Sequence, residues 1–216
     1  MSAWESPILR VTSGQLNNVN DTVIGGQPAL GGLSKYAGQL GKTLWVDPSQ
    51  IGAMYNSSIG TLYGGRFRYV RFRAADAGDY VPGQIVFWDT TVDDWTSAYQ
   101  VTENETLSSA LGAMMIGGIF LGGTEPGNYG IIQDLGIVPV QFASALTGTP
   151  GIGVPTYAAA MGAGANEGFA DVLAGANPTD FSDIGLLQSR FLGNAVTLPA
   201  NNSLTNVILR FQNVLG

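Results

Sequence analysis

Short runs of apolar, β-branched and aromatic residues recur along the chain from Arg66 onward, each bounded by glycine, proline, aspartate or asparagine. Runs with this composition and these boundaries are typical of β-strands. They are YVRF, QIVFW, YQVT, GIIQDLG, VPVQF and ADVLAG. Their fairly regular spacing predicts an all-β body, built as a sandwich or a barrel.

Only two segments favour helix, and both are short. NETLSSALGAM (104–114) offers Asn104 as an N-cap and Glu105 in the first turn. FSDIGLLQSRF (181–191) is the second, although Gly185 weakens its helical tendency. The sequence therefore predicts few, short helices beside the β body.

Residues 1–60 have a different character from the rest of the chain. Turn formers such as NNVND and GGQPALGG lack sustained periodicity and are interrupted by the short apolar pieces PILRV and TLWVD. This pattern predicts an extended N-terminal arm with short strands over 1–60, followed by a β-rich domain over 61–216. The alternative is a set of irregular loops packed on the body.

An internal echo predicts that the body consists of two similar halves. DYVPGQIVFW (79–88) resembles GTPGIGVPTY (148–157), and IFLGG (119–123) resembles RFLGN (190–194). The matched proline and phenylalanine stand 38 residues apart in the first half (82 to 120) and 41 apart in the second (150 to 191). Similar spacing of two features favours a pseudo-symmetric barrel or sandwich.

Composition changes the expectation for the surface. Charged residues make up 12% of the chain, about half the usual share, and the net charge is −7. Low charge with ample apolar surface predicts that other chains cover part of the exterior, although a monomer with a neutral polar surface is the alternative. The start, MSAWESPILR, predicts no secretory signal, and the apolar run 111–123 is too short to cross a bilayer.

The chain contains no histidine and no cysteine, which removes most catalytic chemistry. Ser-His-Asp and Cys-His catalysis and zinc–thiolate sites are excluded. The acidic loops DTTVDD (89–94) and PTDFSD (178–183) could bind Ca²⁺, but ordinary aspartate turns explain them better. The glycine pairs lack phosphate-loop spacing. We therefore expect no enzyme activity, no cofactor and no metal site.

RFRYVRFR (66–73) gathers four of the nine basic residues. In an extended strand its charged face switches at Tyr69-Val70, which predicts a bulge or a strand that passes from one sheet to another. The acidic background opposes nucleic acid binding. We expect the arginines to pair with a protein neighbour or with nearby carboxylates, the candidates being Asp76, Asp79, Asp89, Asp93 and Asp94.

Several of these segments resemble the capsid decoration, or cement, proteins of tailed bacteriophages. The resemblance lies in PGNYGIIQDLGIVPVQF (126–142), LTGTPGIGVPTYAA (146–159), FADVLAG (169–175) and FLGNAVT (191–197), with RYVRF and VPGQIVFWD as opening strands. It covers roughly residues 64 to 211 and leaves the arm uncovered. Pro139 and Pro155 depart from it by interrupting strands.

The resemblance implies a virion protein, made in the host cytoplasm, that sits on the outer surface of an icosahedral head as a homotrimer. It would clamp neighbouring major capsid subunits, with neither nucleic acid nor membrane as a partner. An extended arm can add a strand to a capsid sheet. The candidate interface residues are Trp4, Tyr36, Trp45, Arg66, Arg68, Arg71 and Arg73.

Two other functions stay open at this point. A β-rich carbohydrate- or receptor-binding module of a phage fibre or tail would need exposed aromatic residues, for which Trp88 and Trp95 are candidates. A hydrolase would need a pair of opposed aspartates, whose separation no sequence can show.

Overall fold

The structure is a computed structural model that describes residues 41, 43–46, 64–76, 80–91, 99–104, 115–121, 129–159, 168–172 and 190–210. Its ten strands are β1 (Thr43–Val46), β2 (Gly65–Phe72), β3 (Ile85–Trp88), β4 (Gln100–Thr102), β5 (Ile116–Phe120), β6 (Tyr129–Gln141), β7 (Pro155–Ala158), β8 (Ala170–Asp171), β9 (Phe191–Ala195) and β10 (Leu204–Leu209). The predicted all-β body is confirmed. The two predicted helices lie, apart from their ends, outside the described residues.

Five strands form a closed ring, which we call module 1. β2 pairs with β4, β4 with β3, β3 with β5 and β5 with β6, and β6 returns to β2. All these ladders are antiparallel except β2–β4, which is parallel. Closure leaves no free edge among these five strands, which is how small β-barrels avoid edge-to-edge association.

A second ring, module 2, grows from the other half of the same strand. The second half of β6 pairs with β10, followed by β9, β7 and β8. A bridge between Phe142 and Ala170 brings β8 back to the end of β6. The thirteen-residue β6 therefore belongs to both rings.

The two modules repeat one pairing pattern. In module 1, Val86 of β3 pairs with Gly118 of β5, and a register shift follows Val86. In module 2, Thr156 of β7 pairs with Gly193 of β9, and a register shift follows at the same step. The predicted repeat of two similar halves is confirmed at the level of backbone pairing.

The register predicted for the repeat was wrong by a few residues. The amide of Gly83 donates to the carbonyl of Phe120, at 2.7 Å. The equivalent bond of module 2 runs from Gly153 to Ala195, at 2.8 Å. Pro82 therefore corresponds to Ile152 rather than to Pro150, and Phe120 to Ala195 rather than to Phe191. The Pro-Gly and FLG segments of the two halves are not at equivalent positions, because what the two modules share is the position of their backbone hydrogen bonds.

Module 1 encloses a large aromatic core. The ring of Phe72 lies 4.6 Å from that of Tyr80 and 4.9 Å from that of Phe120, in tilted and edge-on arrangements. Such pairs add to the stabilisation gained from burial alone. The core cluster consists of Val70, Phe72, Tyr80, Val86, Trp88, Val101, Phe120 and Ile132.

Module 2 fills several of the corresponding positions with smaller side chains. Trp88 and Val101 face each other across the β3–β4 ladder, and alanines take both places in the β7–β8 ladder. A third alanine takes the place of Phe120. All three alanines, Ala158, Ala170 and Ala195, are buried. The second ring therefore keeps the hydrogen-bonded frame of the first around a smaller apolar interior.

β1 lies inside the segment predicted as the arm. It pairs in antiparallel fashion with β2, joining Trp45 to Arg66 and Thr43 to Arg68. Gly41 extends this contact, because its amide donates to the carbonyl of Tyr69 at 2.8 Å. This part of the arm is thus a strand docked on the body, and residues 1–40 lie outside the described residues.

The glycine at position 193 should be among the most restrictive positions of module 2. Its φ is +155°, and a Cβ there would lie 1.8 Å from the carbonyl oxygen of Ile208. We expect Gly193→Ala to lower the free energy of unfolding by about 3 kcal/mol or more, because the backbones of β9 and β10 must separate. Chemical denaturation would measure this loss.

Gly153→Ala is the matched control. Gly153 also has a positive φ of +82°, but a Cβ there would meet nothing within 4 Å. Only the conformational cost of about 1–2 kcal/mol should appear. Equal losses in the two variants would contradict the close backbone contact at Gly193.

Candidate functional site

The arginine-rich segment forms β2, at the junction of β1, β4 and β6. On one edge of β2 the partner changes from β1, which pairs up to Arg68, to β4, which begins at Arg71. The switch predicted at Tyr69-Val70 is thus a change of neighbouring strand within one sheet, and not a passage from one sheet to another. The bulge itself lies elsewhere, between Arg66 and Phe67 on the edge that faces β6.

The bulge contributes an extra residue, Asp134, on β6. Arg66 pairs with Leu135 and Phe67 with Gln133, so Asp134 has no partner in the ladder. A bulge turns a side chain out of the regular alternation. Here it directs a carboxylate at the arginines of β2.

Asp134 forms a buried ion pair with two arginines. One carboxylate oxygen lies 2.7 Å from Nε of Arg66 and the other 3.1 Å from Nε of Arg68. The side chain of Asp134 is fully buried and that of Arg68 is 6% exposed. Arg68 also lies over the ring of Trp88, 5.9 Å from its centroid. Arg68 is therefore held inside the protein, and the half-buried Arg66 shares its carboxylate partner.

Gln133 fixes the backbone beside the bulge. Its side-chain amide donates to the carbonyls of Gly64 at 3.0 Å and Leu135 at 3.1 Å. Gln133 is fully buried, and buried carbonyls left without donors are costly. The amide thus satisfies backbone groups that the irregular ladder leaves free.

Arg73 connects two further carboxylates at the end of β2. Its Nε lies 3.1 Å from Asp89, and its Nη1 lies 3.7 Å from Asp76. The predicted pairing with these two aspartates is correct for Arg73. Asp79, Asp93 and Asp94, the other predicted partners, lie outside the described residues.

Asp76 is itself the centre of a hydrogen-bond cluster. It accepts from the hydroxyl of Tyr80 and, at 2.9 Å, from the hydroxyl of Thr102 on β4. Burial, reinforced by the hydrogen bond and negative charge of Asp76, raises the pKa of Tyr80 far above its usual value. The cluster ties the loop after β2 to β4.

Module 2 makes the same loop-to-strand connection with the two chemical roles exchanged. Asp171 on β8 corresponds to Thr102 on β4, since each stands in the equivalent ladder position. Its carboxylate accepts from the amide of Thr147 at 3.0 Å and from its hydroxyl at 2.8 Å. In both modules a carboxylate–hydroxyl pair holds the loop that follows the first strand of the ring.

The seven predicted interface residues do not form one cluster in the described structure. Arg66, Arg68 and Arg73 have carboxylate partners within the chain. Arg71 is half-buried, and its Nε has no hydrogen-bond partner among the described residues. Trp45 is 63% exposed on β1. Trp4 and Tyr36 lie outside the described residues.

Trp88, one of the two tryptophans considered for a carbohydrate-binding site, is not on the surface. Trp88 is buried in module 1, where its ring packs edge-on against Tyr99 with centroids 6.1 Å apart. The expectation of an exposed Trp88 is therefore wrong, because β3 has both faces covered. Trp95 lies outside the described residues.

Nothing in the described part of the chain resembles a metal centre or a membrane span. No three histidine, cysteine, aspartate or glutamate residues within it are grouped to hold an ion. No helix within it has the length and hydropathy needed to cross a membrane.

The largest exposed apolar residues of module 2 were not among the predicted site residues. They are Ile152, Val196, Leu198 and Leu204. The pattern of a strand does not show which of its apolar residues are exposed, but the distribution of charged residues along the chain gave one indication. The sequence has no aspartate, glutamate, lysine or arginine from Leu135 to Asn166, nor from Phe191 to Leu209.

Comparison with known proteins gives only a weak structural likeness. No family model matches this chain, and no curated protein matches it. The solved N base of the head fiber protein gp8.5 from bacteriophage phi29 is similar over 68% of this chain and 96% of that chain, with 10% identity and a TM-score of 0.37. Similarity this low does not establish a shared fold.

Asp134 provides a direct test of the ion-pair network. We expect Asp134→Asn to lower the free energy of unfolding by about 3–5 kcal/mol, because it leaves Arg68 buried without a counter-charge. Denaturant unfolding would measure the loss. Arg66→Gln is the control, since Arg66 is 22% exposed and its removal leaves the pair of Asp134 with Arg68 in place. Equal losses would show that the bulge carboxylate does not organise β2.

Proposed function

We propose that this protein is a structural component of a tailed-bacteriophage particle. It binds the outer surface of the icosahedral head after synthesis in the host cytoplasm, assembles as a homotrimer and clamps neighbouring major capsid subunits. The role is non-enzymatic, needs no cofactor and involves neither nucleic acid nor membrane. The sequence resemblance to decoration proteins suggests this role, and one feature of the structure supports it most.

That feature is the exposed strand at the base of the arm. β1 pairs with β2 on one edge, and no described strand pairs with its other edge. An unpaired edge offers backbone donors and acceptors to a strand of another chain. On the same strand Trp45 is 63% exposed, and tryptophan is the residue type most often found as an energetic anchor at interfaces.

The arginines of β2 support a structural role over phosphate binding. A nucleic acid surface needs accessible cations along a continuous face. Arg66 and Arg68 share a buried carboxylate instead, and Arg73 contacts two. The charge at this end of the protein is thus largely neutralised within the fold, which leaves β1 and its tryptophan as the distinctive surface.

Clamping follows from combining a rigid body with such an edge. Closed rings resist deformation, so force across a joint between capsid subunits is transmitted to the contacts at the edge of β1. A shell carries many equivalent joints. Weak individual contacts then become collectively strong when several copies are linked.

The direct test is binding to DNA-filled heads that lack this chain, followed by cryo-electron microscopy of the decorated particles. We expect density across joints between major capsid subunits, with β1 at the contact. Density elsewhere, or no binding to heads, would contradict the proposal.

A variant pair locates the contact on β1. Trp45→Ala should weaken head binding at least tenfold, which corresponds to about 1.4 kcal/mol, because an anchoring side chain is lost. Val81→Ala is the control, since Val81 is 42% exposed on the turn before β3. Co-sedimentation with heads would measure both. Unchanged binding of Trp45→Ala would remove β1 from the contact.

A further inference from the structure

Two loops of module 2 join to form one end of the protein. They span residues 143–154 and 196–203, and we call them the uncharged end. The amide of Asn202 donates to the carbonyl of Ala143 at 2.8 Å, and the amide of Leu146 donates to the side chain of Asn201 at 3.1 Å. Neither loop contains an aspartate, glutamate, lysine or arginine.

Further hydrogen bonds hold these loops to the barrel, so the surface that they form is preorganised. Thr147 is held by the buried carboxylate of Asp171. The side chain of Asn194 donates to the carbonyl of Gly153 at 2.9 Å. The hydroxyl of Thr197 accepts from the amide of Asn206 at 3.0 Å. A preorganised surface loses little conformational entropy when it is covered.

The uncharged end carries apolar side chains that no other part of the described chain covers. Ile152 is 74% exposed and Leu198 is 61% exposed. Val196 lies beside the turn that holds Ile152, because the preceding residue, Ala195, accepts the amide of Gly153. A rigid, uncharged surface studded with large apolar residues is typical of an interface between protein chains.

The turn of module 1 that corresponds to Ile152-Gly153 has a neighbour, which is module 2. Leu121 corresponds to Val196 in the repeat, yet it is fully buried. The turn beside it contacts module 2, since the carbonyl of Gly83 accepts from the amide of Gln141 at 2.8 Å. Gly83 also packs against Leu204. The turn of module 1 that corresponds to Ile152-Gly153 is therefore in contact with a module of the same chain, although Val81 at its start is 42% exposed.

Among the described residues, no third module contacts the equivalent turn of module 2 at Ile152-Gly153. We propose that a second copy of this chain covers it, with the uncharged ends of the copies packed against one another around a rotation axis. The inference deepens the proposed homotrimer by naming the surface through which copies meet, and it rests on that proposal only for the number of copies.

Charge is the reason to choose a second copy over an unrelated partner. An uncharged surface offers no counter-charge to offset the free-energy cost of desolvating ionised groups on its partner. A partner rich in exposed charge is therefore disfavoured. The uncharged end meets this condition with respect to itself. Contact between two such ends buries Ile152 and Leu198 without burying any unpaired ion.

The test is the molar mass of the full-length chain in solution, measured by light scattering and sedimentation over a range of concentrations. We expect an oligomer for the natural sequence. Ile152→Asp and Leu198→Asp should each raise the dissociation constant at least tenfold, because a carboxylate would be buried at the contact. Trp45→Asp is the matched control, with an equally exposed apolar residue on β1, and should keep the oligomer.

Engineered cysteines give a second measurement that does not depend on tolerance of a buried charge. The chain has no cysteine, so Ala200→Cys places a single thiol on the uncharged end. A short bismaleimide should cross-link copies of that variant. It should not cross-link Ala75→Cys, whose thiol lies on the exposed loop after β2.

Three results would overturn the inference. They are a monomeric natural chain at all concentrations, an oligomer that survives Ile152→Asp and Leu198→Asp, or cross-linking of Ala75→Cys in place of Ala200→Cys. None of these bears on where the chain sits on a head, because head binding through β1 is measured separately. Failure of this inference and failure of the proposed function are therefore distinguishable.

Discussion

A single strand, β6, has to pair correctly within two barrels at once. Its first half completes module 1 by pairing with β2 and β5, and its second half opens module 2 by pairing with β10. Buried side chains of its first half, such as Ile132, pack in the core of module 1, and its second half carries the buried Val138 and Val140. The register of both rings is fixed by this strand, so a slip in one would misplace the other.

The bulge at Asp134 makes the two halves of β6 chemically different. In module 1 the extra residue places a carboxylate between arginines of β2. The β6–β10 ladder has no such shift, and Arg68 is replaced at the equivalent position by the buried Val138. The first ring thus contains buried ion pairs and a cluster of aromatic rings, whereas alanines take the places of Trp88, Val101 and Phe120 in the second. The protein acquires two dissimilar ends from a repeated frame.

Much of the fold could be predicted from the sequence, because β-branched runs and turn formers identify strands locally. The repeat was visible but misaligned, since it conserves backbone pairing while Trp88 is exchanged for Ala158. The partner of Arg68 was not predictable, because Asp134 lies 66 residues away and reaches it only through a bulge. A lone aspartate within the apolar run GIIQDLG was the one available hint. Exposure of Ile152 depends on whether another module covers the turn that holds it, and no local sequence pattern shows whether a turn is covered.

Because the two rings share β6, we expect them to unfold as one cooperative unit. Native-state hydrogen exchange, read by mass spectrometry, tests this by comparing amides of β3 with amides of β7 as denaturant rises. We predict that both exchange through the same global opening, with equal free energies and equal denaturant dependence. Exchange of the β7 amides through a separate opening of lower free energy, while β3 stays protected, would show that the two rings unfold independently.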